Sequence, residues 1–367
     1  MHLYLHVPFC ARRCSYCDFA ISVRREVPSA VFADTIVAEW RQGLGSPWWS
    51  DQGPIETIYW GGGTPSLLEP GAVGRILAAV RAERSISPTA EITLEANPED
   101  VTSQRAASWV ADGINRVSLG VQSFAPAVLE WMHRSHGPDR PAAAVATLRQ
   151  AGIDNVSIDL IYAVPPALRR SWRDDLDRGL ALEPRHISLY GLTVEAQTPL
   201  GRWVARGESI PAEEGPAADE YLEAHRTLTL AGYRHYEVSN AGKPGFESRH
   251  NQAYWRRASY LGLGPSAHSA VGRRRWWNVR DWEAYRRAVE IGNGVGGQES
   301  LADGQIRLED RYLGLRTVGG VPASSLPVSV VDQWVSAGWA RRDGSRVVLT
   351  VEGWLRLDAL VSQVHEA

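Results

Sequence analysis

Strand and helix patterns alternate through the first two hundred residues, and no other feature of the chain constrains its fold as tightly. Short apolar runs at 3–7, 55–60, 91–94, 116–119, 155–161 and 186–190 read as strands. Amphipathic stretches at 29–42, 71–84, 103–112, 140–152 and 171–182 read as the helices between them. Parallel neighbours need a crossover between them, and a helix of about a dozen residues provides it. The pattern therefore predicts an α/β fold built on a parallel sheet. The regular repeat fades after six units, short of the eight that close a full barrel, so a partial (β/α)6 barrel is expected. Active groups in such folds stand just past the C-terminal ends of the strands.

Beyond the repeat, the stretch 198–215 is rich in Pro, Gly and Glu and breaks the pattern. A helix over 217–230 and a loop-rich segment follow. The tail has helical patterns at 305–315 and 326–337, a hairpin-like 342–350 and a last helix at 352–364, an order that resembles a small winged-helix domain. The expected division is 1–200 for the barrel, 201–300 for a connecting segment and 301–367 for the tail domain. With 44% hydrophobic and 22% charged residues, the 367-residue chain has ample material for a core. A net charge of −3 gives no basis for nucleic-acid binding. No apolar run reaches the ~18 residues of a membrane span, and the start lacks a basic, then apolar, leader. A cytoplasmic protein, not an integral membrane protein, is expected.

The three cysteines lie within eight residues, Cys10-Ala-Arg-Arg-Cys14-Ser-Tyr-Cys17, directly after the first strand. An odd, clustered set does not read as a disulfide framework; it reads as metal ligands. Iron–sulfur clusters are held by thiolates, usually four. Three from one loop leave one iron open, and an open position is where a substrate or cofactor binds. The amino and carboxylate groups of S-adenosylmethionine (SAM) suit that position. The other readings are a zinc site of the three cysteines with His6, or cysteines that share no metal.

His6-Val-Pro-Phe-Cys10, the cysteine spacing and Trp60-Gly61-Gly62-Gly63-Thr64-Pro65 together resemble the radical-SAM family of oxygen-independent coproporphyrinogen III dehydrogenases and their haem-chaperone relatives of the HemW type. The likeness runs from Tyr4 into the C-terminal domain. It implies a 4Fe–4S cluster on Cys10, Cys14 and Cys17, with SAM beside it. Polar residues at successive strand ends fit a SAM pocket. Gly62, Gly63 and Thr64 let the backbone approach a ligand. Glu95 suits the ammonium, Gln122 and Asp159 suit ribose hydroxyls, and Arg134 suits a carboxylate. By resemblance, Tyr4 and Tyr16 also line the SAM site, and Leu192 or Thr193 lies near the adenine. The family's Tyr-Gly-Leu-Pro is Tyr162-Ala163-Val164-Pro165 here, a change between small apolar residues.

Two functions remain open on this scaffold. One is oxidative decarboxylation of coproporphyrinogen III; the other is haem binding and delivery. The dehydrogenases carry a further cysteine where this chain has Phe19, and an arm before the first strand, which here begins almost at once. Both differences favour the chaperone. His250-Asn-Gln-Ala-Tyr254-Trp255 matches the His-Asn-x-x-Tyr-Trp motif of the HemW type. It implies haem near that segment, forming a wall over the barrel mouth, with His250 the first choice of iron ligand and His235 the second. Arg273-Arg274-Arg275-Trp276-Trp277 reads as a solvated strand edge, or else as a contact for haem propionates or a membrane surface. The expected cofactors are a 4Fe–4S cluster, SAM and haem. The expected partners are haem and haem-acceptor proteins, membrane-bound respiratory enzymes among them, with peripheral contact at the membrane.

Overall fold

Successive residues of a strand face opposite sides, and each side of this sheet carries its own chemistry. In the computed structural model, which describes residues 1–45 and 53–364, six strands form the expected repeat. They are β1 (His2–Val7), β2 (Ile55–Gly62), β3 (Ile86–Ala96), β4 (Arg116–Gln122), β5 (Asn155–Tyr162) and β6 (His186–Gly191), paired in that order and all parallel. On the outer side, Leu5, Trp60, Leu94, Val117 and Val156 stand in register and are buried beneath the helices. On the inner side, Tyr4, Tyr59, Thr93, Arg116 and Asn155 stand in register. A parallel sheet covered by apolar layers on both faces reads as unbroken apolar runs. These strands alternate because their inner face is polar.

The helices follow from capping and spacing. In α1 (Ser29–Leu44), Ser29, Phe32, Ala33, Ile36 and Trp40 recur at helical period and are buried. Burial of Phe32 alone is worth roughly 1.5–3 kcal/mol. The helix Ser103–Asp112 starts where the Thr102 hydroxyl accepts from the Arg105 N–H. It ends at Gly113, whose φ is 100°. Ser171 caps the helix Trp172–Ala181 in the same way.

The sheet does not end with the six-unit repeat. Tyr260–Leu263 adds a seventh parallel strand on the other side of β1. His268–Val271, Arg274–Asn278 and Val295–Ser300 extend it as antiparallel strands. At the far side, Asn240–Gly242 and Arg234–Glu237 lie antiparallel beyond β6. The result, among the described residues, is one twelve-stranded sheet that takes up much of 201–300. Strands as short as Tyr260–Leu263, separated by turns, carry too little period to be read from the sequence. Arg274 lies in a strand paired on both sides, and Arg275 pairs with Glu309, so the basic run is not a bare edge.

The tail packs Asp303–Leu315 and Val328–Ser336 on a three-stranded sheet of Val321–Pro322, Arg346–Leu349 and Ala340–Asp343. Its own buried cluster includes Val331, Trp334, Val347 and Leu360. The expected last helix is two short pieces, Val351–Trp354 and Leu357–Ser362. Arg316 joins the tail to the sheet: it pairs with buried Glu237 at 3.0 Å and lies 4.2 Å over the Trp255 ring.

One turn ties the seventh parallel strand to β1. Gly264 has a φ of 99°, and a Cβ there would sit 2.4 Å from the His6 carbonyl oxygen. Its N–H donates to Glu39 at 2.8 Å, and Glu39 also accepts from Asn278 and Tyr285. Gly264→Ala should lower stability by about 1–3 kcal/mol in urea denaturation, because both the torsion and the contact oppose it. Gly272→Ala, with a φ of 60° but open space around it, should cost less. Equal losses in the two variants would remove the steric part of this account.

Candidate functional site

The strand ends and the cysteine loop enclose one cavity of about 480 Å³. Its upper wall is the loop after β1. Phe9–Cys10 pairs with Ser22–Val23, so the loop between them is held at both ends. Inside it, the Ser15 N–H donates to the Met132 carbonyl, and the Leu200 N–H donates to the Ser15 carbonyl. Cys10 is nearly buried, while Cys14 and Cys17 are half-buried, and all three line the cavity. Burial pushes the Cys10 thiol up to about 11. Among the described residues, no three His, Cys, Asp or Glu side chains converge on a single metal-ion position. His6 is engaged elsewhere: Nε2 meets the Ala20 carbonyl at 2.9 Å and Nδ1 meets the Tyr4 hydroxyl at 3.1 Å.

Glycines bring β2 against this loop. The Gly63 N–H donates to the Val7 carbonyl at 2.7 Å, and a Cβ at Gly63 would sit 2.7 Å from the Phe9 carbonyl oxygen. Gly62, with a φ of 109°, turns its N–H onto Glu95 Oε2 at 3.2 Å. The Thr64 hydroxyl donates to Cys10 Sγ at 3.4 Å, so in this state it addresses the sulfur.

The opposite wall is carboxylate-rich. Glu95 Oε1 accepts from the Tyr59 hydroxyl at 2.8 Å. Burial, and then the charge of Asp159, push the Glu95 carboxyl up to about 7. Burial also raises Asp159, against hydrogen bonds from Ser188 and Ser118, the latter at 3.1 Å. Gln122 ends β4 with a φ of 67°, and its Oε1 is buried without a hydrogen-bond partner. Such a group implies an absent donor. Arg134 follows the short helix Pro126–Trp131. It donates to Asn97 Oδ1 and to the Gly120 carbonyl at 2.6 Å each, and to Cys14 Sγ at 3.6 Å. It bridges the cysteine loop to the strand ends. Tyr16, Leu192 and Thr193 complete the cavity from the list expected by sequence.

Sequence reading missed Tyr59, Asn97, Ser118 and Tyr190. Tyr59 and Ser118 sit two residues before Gly61 and Gly120, on the same strand face as Glu95 and Asp159. That period was the signal for them.

Three expected residues lie elsewhere. Tyr4 lines a different cavity, beside His6, and is not in the wall of the cysteine cavity. His250 does not stand over the mouth. Its helix, Arg249–Trp255, plugs the opposite end of the strands, where Glu91 accepts from the Arg249 and His250 N–H groups. The His250 ring is buried and stacks on Tyr59. Its Nδ1 meets Thr57 Oγ1 at 2.6 Å, and its Nε2 meets the Tyr254 hydroxyl at 2.9 Å. Burial, with His2 and Arg116, pushes its pKa down to about 3. His235 is also buried, with Nδ1 on His225 and Nε2 on the Val238 carbonyl. Among the described residues, both nitrogens of each ring have a partner. A motif shows residue types, not which end of a barrel its helix will fill.

Comparisons with known proteins agree with this architecture. The family model of the radical SAM superfamily matches residues 4–178. Heme chaperone HemW of Mycobacterium tuberculosis is 37% identical, over 98% of this chain and 93% of its own length. Heme chaperone HemW of Escherichia coli is 35% identical, over 74% of this chain and 70% of its own. Among solved structures, coproporphyrinogen III oxidase HemN of Escherichia coli superposes with a TM-score of 0.83 over 98% of this chain and 88% of its own. At 21% identity, that likeness is one of fold. On the strength of the near full-length match, the chain belongs to the HemW family of radical-SAM proteins.

Proposed function

We propose that this protein is a haem chaperone on a radical-SAM scaffold: it binds a 4Fe–4S cluster, SAM and haem, and passes haem to acceptor proteins, membrane-bound respiratory enzymes among them. The observation that carries this reading is the near full-length similarity to a protein named heme chaperone HemW. The cysteine cavity is compatible with it. Cys10, Cys14 and Cys17 would hold three irons and leave one open. When bound together, cluster and SAM supply reductive cleavage of the sulfonium. The chain's own residues orient the cofactor. Glu95 and the Gly62–Gly63 backbone receive the N–H groups of the amino group, Asp159 and Gln122 receive the ribose hydroxyls, and Arg134 receives the carboxylate while anchoring Cys14. The unpartnered Gln122 Oε1 gains the donor it lacks.

Dehydrogenation of coproporphyrinogen III is the other reading on this fold. Phe19, where the resembled dehydrogenases carry a further cysteine, stands against it, and so does the family to which the chain belongs.

Anaerobic reconstitution should give about four irons per chain and, on reduction, an EPR signal that SAM perturbs. The haem-loaded protein should then hand haem to an apo-acceptor in membranes. With SAM and electrons supplied, it should form no protoporphyrinogen IX from coproporphyrinogen III. Sustained decarboxylation, or haem that never leaves, would refute the chaperone reading.

Gln122→Ala and Asp159→Asn should each weaken SAM binding by about 1–3 kcal/mol, roughly five- to a hundredfold, without loss of iron. Unchanged affinity in both would place the ribose elsewhere.

SAM affinity should also depend on pH. The N–H groups of the SAM amino group favour ionised Glu95, whose carboxyl is pushed up to about 7. Affinity is therefore full above that value and should fall by up to roughly tenfold per pH unit below it. In Glu95→Gln the same calorimetric titrations should be weaker and flat. Parallel profiles in the two proteins would clear Glu95 of this role.

A further inference from the structure

Beside the cysteine cavity lies a second one, of about 380 Å³, open to solvent. Its walls include Tyr4, His6, Tyr254, His268 and Arg280. Asp18 and Phe19 line both cavities, so the two share a rim. Phe19 is 58% exposed, an apolar ring held in water between them.

His268 opens the strand His268–Val271 and is exposed. Its ring stacks on Trp277, with centroids 5.7 Å apart and planes 28° apart. The ring is held in place by this contact. It is not held by a hydrogen bond: among the described residues, neither of its nitrogens has a partner. That separates it from His6, His235 and His250, whose nitrogens are all engaged. Partial burial and the charge of Arg275 hold its pKa below the usual histidine value, so a free lone pair is present at neutral pH. Arg280 is exposed and, among the described residues, makes one side-chain hydrogen bond, to the Asp18 carbonyl at 3.3 Å, which leaves other donors of its fork without a partner there.

We infer that His268 is an axial ligand to haem iron, in a seat where Phe19 meets the face of the macrocycle and Arg280 meets a propionate. The inference rests on the haem-chaperone reading and deepens it. Imidazole is a common haem ligand, a flat aromatic face suits a porphyrin, and a guanidinium suits a carboxylate. Ligation here transfers no electron; the neutral ring donates its lone pair to the iron. Tyr254, from the His250–Trp255 segment, supplies part of the wall. That segment would then serve haem through Tyr254, while His250 holds the Tyr254 hydroxyl. The shared rim would bring one edge of the macrocycle to the mouth of the cysteine cavity.

The test uses the full chain with its cluster reconstituted, titrated with ferric haem and read by difference absorption and EPR. Wild-type protein should show a histidine-ligated spectrum. His268→Ala and His268→Gln should lose it and bind haem roughly tenfold or more weakly, with unchanged iron–sulfur content and SAM affinity. Added imidazole should restore the spectrum in His268→Ala. His133 is the control, since it is exposed at the rim of the cysteine cavity. An unchanged spectrum and affinity in both His268 variants would overturn the inference and leave the chaperone reading standing. So would loss of the histidine signature in His133→Ala or His250→Ala alone. Failure of the wild-type protein to bind haem would overturn both.

Discussion

The polar inner face of the parallel sheet is the constraint on which the rest depends. An inner face that holds Tyr4, Glu91, Glu95, Arg116, Asp159 and His186 must offset their burial with polar contacts, because an unpaired buried polar group costs several kcal/mol, and only the Arg116 Nε among them is left without a hydrogen-bond partner among the described residues. The upper groups meet one another and the cavity, as Tyr59 meets Glu95 and Ser118 meets Asp159. The lower groups are met by chain brought from far along the sequence. The Arg249–Trp255 helix offers its N–H groups to Glu91 and the His250 ring to Thr57. Arg116 is buried between these levels, and its charge opposes the upward shift of both Glu95 and Asp159. The cavity and the plug are two solutions to one requirement at the two ends of the same strands.

This explains what the sequence made legible. Strand positions were readable because the inner face breaks each apolar run at every second residue, as Ser157 and Asp159 do in β5. Helices were readable from their caps and apolar period. The cysteine cavity was readable because its contributors follow strand ends, where the fold rule places them. What was not readable depends on long-range placement. The destination of His250 is fixed by Thr57, nearly two hundred residues earlier, and nothing near His250 announces it. Tyr4 stands in the strand that leads to Cys10, but its hydroxyl turns to His6 and its ring to Tyr59. The strand Tyr260–Leu263 is four residues long, and its parallel partner is the first strand of the chain.

The Arg273–Arg275 run is instructive in another way. As sequence it is a cationic patch. In the fold, Arg273 meets Asp303 and Arg275 meets Glu309, so the run fastens the sheet extension to the tail. Exposed ion pairs of this kind add little stability singly. Their effect here is one of register between two parts of the chain.

The place of β1 has a consequence for the order in which the molecule can be made. It is an interior strand, and its second neighbour is synthesised more than 250 residues after it. The cysteine loop that follows it is held by Leu200 and Arg280, which also emerge late from the ribosome. A chain made from its N-terminus therefore carries three bare thiols through most of its synthesis before the walls around them exist. Non-local pairing of this kind is slow to form. Completion of the walls around the thiols is in this sense a late event, set by topology and not by the thiols.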